Sequence, residues 1–138
     1  MSSVVDPIAD MLTRIRNRIM RGYSSVNVPV SVFKGSILDC LVKEGYVESY
    51  KTQQIEGSSF SEFVINLKVD SNNKPIIQRL DRVSKPSKKE FIKNSELRPV
   101  LKNGIKTRIL STSQGVMSDR EILKSDLKIG GEYLFTVE

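Results

Sequence analysis

Three stretches of this 138-residue sequence carry side chains with which chemistry could be done. Ser111-Thr112-Ser113-Gln114-Gly115 sets three hydroxyls beside a glycine, so donors and acceptors stand where the backbone can approach a ligand closely. Folded RNA asks for such groups, because its bases and 2′-hydroxyls present both donors and acceptors. The alternative is a turn whose hydroxyls satisfy their own backbone. The segment is not a nucleotide-binding loop of the G-x-x-x-x-G-K-[ST] type. Ser84-Lys85-Pro86-Ser87-Lys88-Lys89 places three lysines in a proline-stiffened loop, where they could neutralise phosphates. Phe91 follows; it could stack on a base, but a lone phenylalanine is expected in the core. Between Thr13 and Arg21, four arginines run without an intervening acid, whereas a plain amphipathic helix interleaves acids for (i, i+4) pairing. Anion contact is the expected use.

What is missing narrows the chemistry. There is no histidine, so general-base triads and dyads built on imidazole are excluded. Cys40 is the single cysteine, which excludes an internal disulfide and a cysteine-based metal cage. No apolar run approaches the ~20 residues of a membrane helix. The segment Met1 to Asp6 lacks a signal core or an Arg-rich presequence, so the chain is expected to stay in the compartment where it is made. The net charge of +6 is unevenly spread: residues 1–70 hold eight basic and eight acidic residues, residues 71–138 fourteen and eight. From Arg79 to Arg108, ten cations (Arg98 and Lys102 among them) stand against Asp81, Glu90 and Glu96. A block this lopsided suits either a polyanionic partner or a lysine-rich solubilising face.

The elements that must position these groups can be read from periodicity. Asp6-Pro7 opens a helix, as cap and pre-set first residue. Ile8, Met11, Leu12, Ile15 and Ile19 recur as one apolar stripe, and Gly22 supplies the stop. Arg14, Arg18 and Arg21 fall on one flank of the stripe; Thr13, Arg16 and Asn17 fall on the other. Val26, Val28 and Val30 alternate as a short strand. Ser31 caps a second helix with Phe33, Ile37, Cys40 and Leu41 inward. Tyr46–Lys51 and Phe60–Asp70 read as strands, the latter with Phe63, Ile65, Leu67 and Val69 on one side. The turn-rich Ser71 to Pro75 coincides with the charge switch and is the expected boundary between subdomains 1–72 and 73–138. Beyond it, Ile76–Val83, Glu90–Lys93, Lys106–Leu110 and Glu132–Val137 are strand candidates. A short helix could follow Ser95, limited by Pro99, and another is expected from Ser118 to about Lys124, closed by Gly130-Gly131. The fold class is α+β: an α-β-α-β-β unit, then a β-rich mixed-sheet unit with short helices.

These segments line up with a known family. Asp6-Pro7-Ile8-Ala9-Asp10-Met11-Leu12-Thr13-Arg14-Ile15-Arg16-Asn17 resembles the opening motif of the bacterial-type small-subunit ribosomal protein S-eight family. Lys43-Glu44-Gly45-Tyr46, Arg82-Val83-Ser84-Lys85-Pro86, Ser111 to Glu121 and Gly130-Gly131-Glu132 are similar to its later motifs, in the same order. The resemblance implies two subdomains and direct binding to the central domain of small-subunit ribosomal RNA early in assembly. It also implies neighbouring small-subunit proteins, and in some members repression of the family's own operon through its mRNA. No cofactor and no membrane are implied, and the chain would be a monomer outside the ribosome, working in the cytoplasm or in an organelle ribosome. By motif match, RNA contacts would come from Lys85, Pro86, Lys88, Ser111, Thr112, Ser113, Gly115 and Glu132, with Asp6, Pro7, Thr13, Arg14, Asn17 and Lys34 from the first half. A glutamate is unusual in such a set, but a carboxylate can accept from a base amino group. The chain departs from the family pattern at Ser87, Phe91, Lys106 and Gln114, where Gly, Tyr, Gly and Lys are usual.

Two other classes compete. An RNA-modifying or RNA-cleaving enzyme would need a base or a cofactor motif, and turnover assays on ribosomal RNA would reveal it. A DNA-binding regulator would need a recognition helix, for which the arginine-rich first helix is the candidate; competition between duplex DNA and structured RNA separates the two.

Overall fold

The computed structural model describes residues 6–97 and 106–138. Arg98, Pro99 and Lys102 of the basic block lie outside them. Inter-residue contacts divide the chain into two compact units, Pro7–Gln78 and Arg79–Glu138, the second including Asp6.

The first unit runs α1 (Pro7–Met20), β1 (Ser25–Pro29), α2 (Val32–Lys43), β2 (Val47–Gln54) and β3 (Ser61–Leu67). Its antiparallel sheet has the order β1-β3-β2, with β3 central. The apolar stripe of α1 is buried at Ile8, Met11, Leu12 and Ile15, as its spacing requires. Ser31 caps α2 by accepting from the Lys34 N–H at 3.1 Å, and Ile37, Leu38, Cys40 and Leu41 turn inward. Phe33, expected inside with them, is 40% exposed in the first turn of α2. Helix α1 packs on β1 and α2 on β2, covering one face of the sheet. The turn after β3 is held by Asp70, whose Oδ1 accepts from the Asn72 and Lys74 N–H groups. Ile76 and Ile77, expected in a strand, are not; Ile77 is instead a buried anchor of the chain leaving this unit.

The Tyr50 hydroxyl ties β2 to α2, reaching both Asp39 and the Gly35 carbonyl. The Tyr50 hydroxyl donates to Asp39 Oδ1 at 2.5 Å, and its ring meets Phe63 edge-on with centroids 5.2 Å apart. The hydrogen bond to Asp39, then burial, then the Asp39 charge push the phenol up to about 12. The fold therefore favours neutral Tyr50. That stabilisation is complete below the ordinary tyrosine value near 10 and is lost as pH rises towards 12. In urea titrations Tyr50→Phe is expected to be roughly 1 kcal/mol less stable at pH 9. The gap to the wild type should close between about pH 10 and 12. A gap that did not change with pH would mean the phenol is not the group at work.

The second unit contains β4 (Leu80–Arg82), β5 (Phe91–Ile92), a 3₁₀ turn at Asn94–Glu96, β6 (Thr107–Thr112), β7 (Gly115–Ser118), α3 (Asp119–Lys124) and β8 (Gly131–Val137). The order is β4-β8-β6-β7, with β5 also pairing with β8. All pairings among the described residues are antiparallel where a mixed sheet was expected, since each strand returns along its neighbour. Strand β7 was not expected: Gly115–Ser118 is short and lacks alternation, and only its pairing with β6 makes it a strand. Ser118 caps α3 as anticipated, accepting from the Glu121 N–H at 3.0 Å. The helix stops at Ser125 and not at Gly130-Gly131, the second of which opens β8. Leu97, Leu110, Met117 and Ile122 form the apolar centre beneath the sheet.

Candidate nucleic-acid interface

The register of the second sheet builds a row of side chains that no single segment contains. Phe91 on β5 pairs with Glu132 on β8, Glu132 with Ser111 on β6, and Ser111 with Val116 on β7. Directly opposed residues share a face at about 4.8 Å strand spacing. An aromatic ring, a carboxylate and a hydroxyl thus stand side by side. Phe91 is 69% exposed, contrary to the expectation of a core position. Strand β5 is two residues long and, among the described residues, pairs only with β8, which leaves Phe91 at the sheet's edge.

Glu132 is held from behind. The buried Ser84 hydroxyl donates to Glu132 Oε2 at 2.5 Å and accepts from the Glu90 N–H at 3.2 Å. One carboxylate oxygen is fixed in this way, and the other has no hydrogen-bond partner among the described residues. Ser84 opens the lysine loop and belongs to a family motif, but its bond to Glu132 appears only when the register brings the two together.

Two tight turns flank the row. At the β6–β7 turn the Thr112 hydroxyl donates to the Gly115 carbonyl at 2.7 Å and accepts from the Gln114 N–H at 3.1 Å. Gly115 takes φ +106°, which only glycine adopts cheaply, and the chain reverses there. The self-satisfied turn is therefore true of Thr112. Ser113 is exposed, and among the described residues neither its hydroxyl nor that of Ser111 has a hydrogen-bond partner. At the other turn, Lys85 and Lys88 exchange backbone hydrogen bonds of 3.0 Å in each direction around Pro86-Ser87. Lys85, Pro86, Lys88 and Lys89 are all exposed. Lys88 approaches Glu90 only to 4.0 Å, in solvent, a pair too weak to occupy it. Asp6 belongs to this unit, where its carboxylate meets the Arg82 guanidinium at 2.9 Å.

In the first unit Pro7, Thr13, Arg14 and Asn17 are exposed along α1. Lys34 is not displayed with them: it is 4% exposed, and burial holds its ammonium below the ordinary lysine value, with Asp10 opposing and Arg14 reinforcing that shift. Of the fourteen expected residues, the structure gathers Ser111 and Glu132 into the row and Thr112, Ser113, Gly115, Lys85, Pro86 and Lys88 into its flanking turns. Among the described residues no cluster of His, Cys, Asp and Glu could hold a metal ion, and no helix is long and apolar enough to cross a membrane.

A profile of the family described as ribosomal protein S8 matches residues 6–137. The chain is similar to the small ribosomal subunit protein uS8 of Leptospira biflexa, with 44% identity over 135 residues, 98% of each chain. It is 42% identical to that of Cereibacter sphaeroides over 135 residues, again 98% of each. With that of Rhodopirellula baltica the identity is 41% over 134 residues, 97% of this chain and 98% of the relative.

Proposed function

Because the chain belongs to the ribosomal protein S8 family, we propose that it is a non-catalytic constituent of the small ribosomal subunit whose second unit clamps the central domain of the ribosomal RNA. The observation that carries this reading is the row Phe91–Glu132–Ser111 with the unpartnered Ser113 hydroxyl beside it. A ring can stack on an unstacked base, the open carboxylate oxygen can accept from a base amino group, and the free hydroxyls can both donate and accept. The lysines at Lys85 and Lys88 supply attraction to phosphate that positions without reading sequence. The two units divide the work accordingly, with Arg79–Glu138 carrying recognition. Asp6, Pro7, Thr13, Arg14 and Asn17 add contacts from the opening motif. The protein is a monomer before assembly, works in the cytoplasm beside neighbouring small-subunit proteins, and represses its own operon where the mRNA carries the same RNA feature.

The division of labour is testable by filter binding. With about six phosphates contacted, affinity for a central-domain hairpin should fall on the order of a thousandfold between ~50 and ~200 mM salt. Ser113→Ala should cost about 1–3 kcal/mol on that hairpin, little on a random RNA, and leave the salt slope unchanged. Lys88→Ala should weaken both RNAs alike and lower the slope by about one. Equal losses on both RNAs for Ser113→Ala would reject the reading.

A further inference from the structure

The bonds around Ser84 decide more than where Glu132 stands. Ser84 is fully buried, and its backbone is held on both sides: its N–H donates to the Tyr133 carbonyl at 3.0 Å, and its own carbonyl accepts from Arg82 Nε. The Arg82 side chain is only 12% exposed, and its Nη1 meets Asp6 Oδ1 at 2.9 Å. The Glu90 peptide that reaches the Ser84 hydroxyl is pinned as well, because its carbonyl accepts from the Tyr133 N–H at 2.8 Å.

Held in this way, the hydroxyl has one arrangement open to it. The Glu90 N–H can only donate, so the Ser84 oxygen accepts from it, at 3.2 Å. The hydroxyl proton then needs an acceptor of its own. With the residue fully buried, that acceptor among the described residues is Glu132 Oε2, at 2.5 Å. Without it the proton would be a buried, unsatisfied donor. Direction therefore passes outward from the backbone, from amide to hydroxyl and from hydroxyl to the inner carboxylate oxygen. The position of Oε2 must hold an oxygen and not an N–H group.

We propose that Ser84 is a positioning residue of the recognition row: its hydroxyl commits the inner side of residue 132 to an oxygen and so decides what the outer side offers. With glutamate the outer atom is an acceptor, which selects a base amino or imino N–H and refuses a base carbonyl. With glutamine the amide oxygen would be taken by Ser84, and the outer atom would be the NH₂ group, a donor facing a donor. This role rests on the reading that the row Phe91–Glu132–Ser111 meets RNA. A serine that merely filled space beneath Glu132 would impose no such direction.

Filter binding of the full chain to the central-domain hairpin and to a random RNA tests this. Glu132→Ala should cost about tenfold on the hairpin, the loss of one hydrogen bond to a charged acceptor. Glu132→Gln should bind the hairpin about threefold more weakly still, although glutamine is the closer mimic in shape, because an unpaired donor is left facing the base. Adding Ser84→Ala to Glu132→Gln frees the amide to turn its oxygen outward. The double variant should therefore recover that further loss and bind better than Glu132→Gln alone. Random RNA should show none of these differences. Glu132→Gln binding as well as or better than Glu132→Ala overturns the proposal, and that comparison needs no change at the buried serine. A folded double variant no tighter than Glu132→Gln overturns it too. If the wild type itself showed no preference for the hairpin, the reading of the row would fall and the role of Ser84 with it; with that preference intact, either reversed order counts against Ser84 alone.

Discussion

Gly131→Ala is expected to abolish discrimination between the central-domain hairpin and random RNA, a loss of roughly ten- to a hundredfold, with a modest loss of stability. A methyl group at Gly131 would meet the backbone carbonyl oxygen of Ser111 well inside contact distance, with the Thr112 Cα close behind. Neither obstacle is the yielding end of a side chain. The β6 and β8 strands must therefore part where Ser111 pairs with Glu132, and such forced insertion costs about 1–3 kcal/mol. The row would lose its spacing while the lysine turn keeps its charge, so non-specific affinity and the salt slope should persist. Filter binding on the two RNAs measures this directly. Unchanged discrimination would show that recognition does not use the pairing of Ser111 with Glu132.

Arg108→Met should be among the most destabilising single changes in the second unit. Arg108 Nε donates to Asp119 Oδ2 at 2.8 Å, with the two side chains 11% and 5% exposed. Removing the guanidinium leaves a buried carboxylate without its counter-charge, at a cost of about 3–5 kcal/mol. For a chain of this size that lowers Tm by about 10 °C or more. Tyr133 shares the neighbourhood: burial raises its phenol, Arg108 lowers it and Asp119 raises it. Adding Asp119→Asn to the variant removes the stranded charge and should restore most of the loss, because the amide oxygen can still accept the Arg120 N–H now bound at 2.8 Å. Urea titration of the single and double variants decides. A double variant no more stable than Arg108→Met would mean that lost packing, not the charge, sets the cost.

The sequence was most legible where periodicity and burial coincide. Ile8, Met11, Leu12 and Ile15 specify α1 because each lies on the buried stripe. Phe63, Ile65 and Leu67 specify β3 because alternate residues face the helices. Legibility failed where a residue's fate depends on long-range pairing. Phe91 looks like a core residue to any local argument; it is exposed because its short strand lies at the sheet's margin. Ser84 and Glu132 are 48 residues apart, so their hydrogen bond leaves no local trace. Lys34 belongs by motif to the contact set, but the packing around the start of α2 buries it. Composition marked the second half as basic; three-dimensional register decided which of its groups stand side by side.

Strand β8 occupies the middle of the second sheet although it follows every other strand in chain order. During synthesis, β4, β5, β6 and β7 leave the exit tunnel before the strand that must lie between β4 and β6, and until then the carboxylate and the Ser111 hydroxyl have no shared surface. Nascent chains interrupted before residue 131 thereby lack the strand that joins β4, β5 and β6 into one sheet.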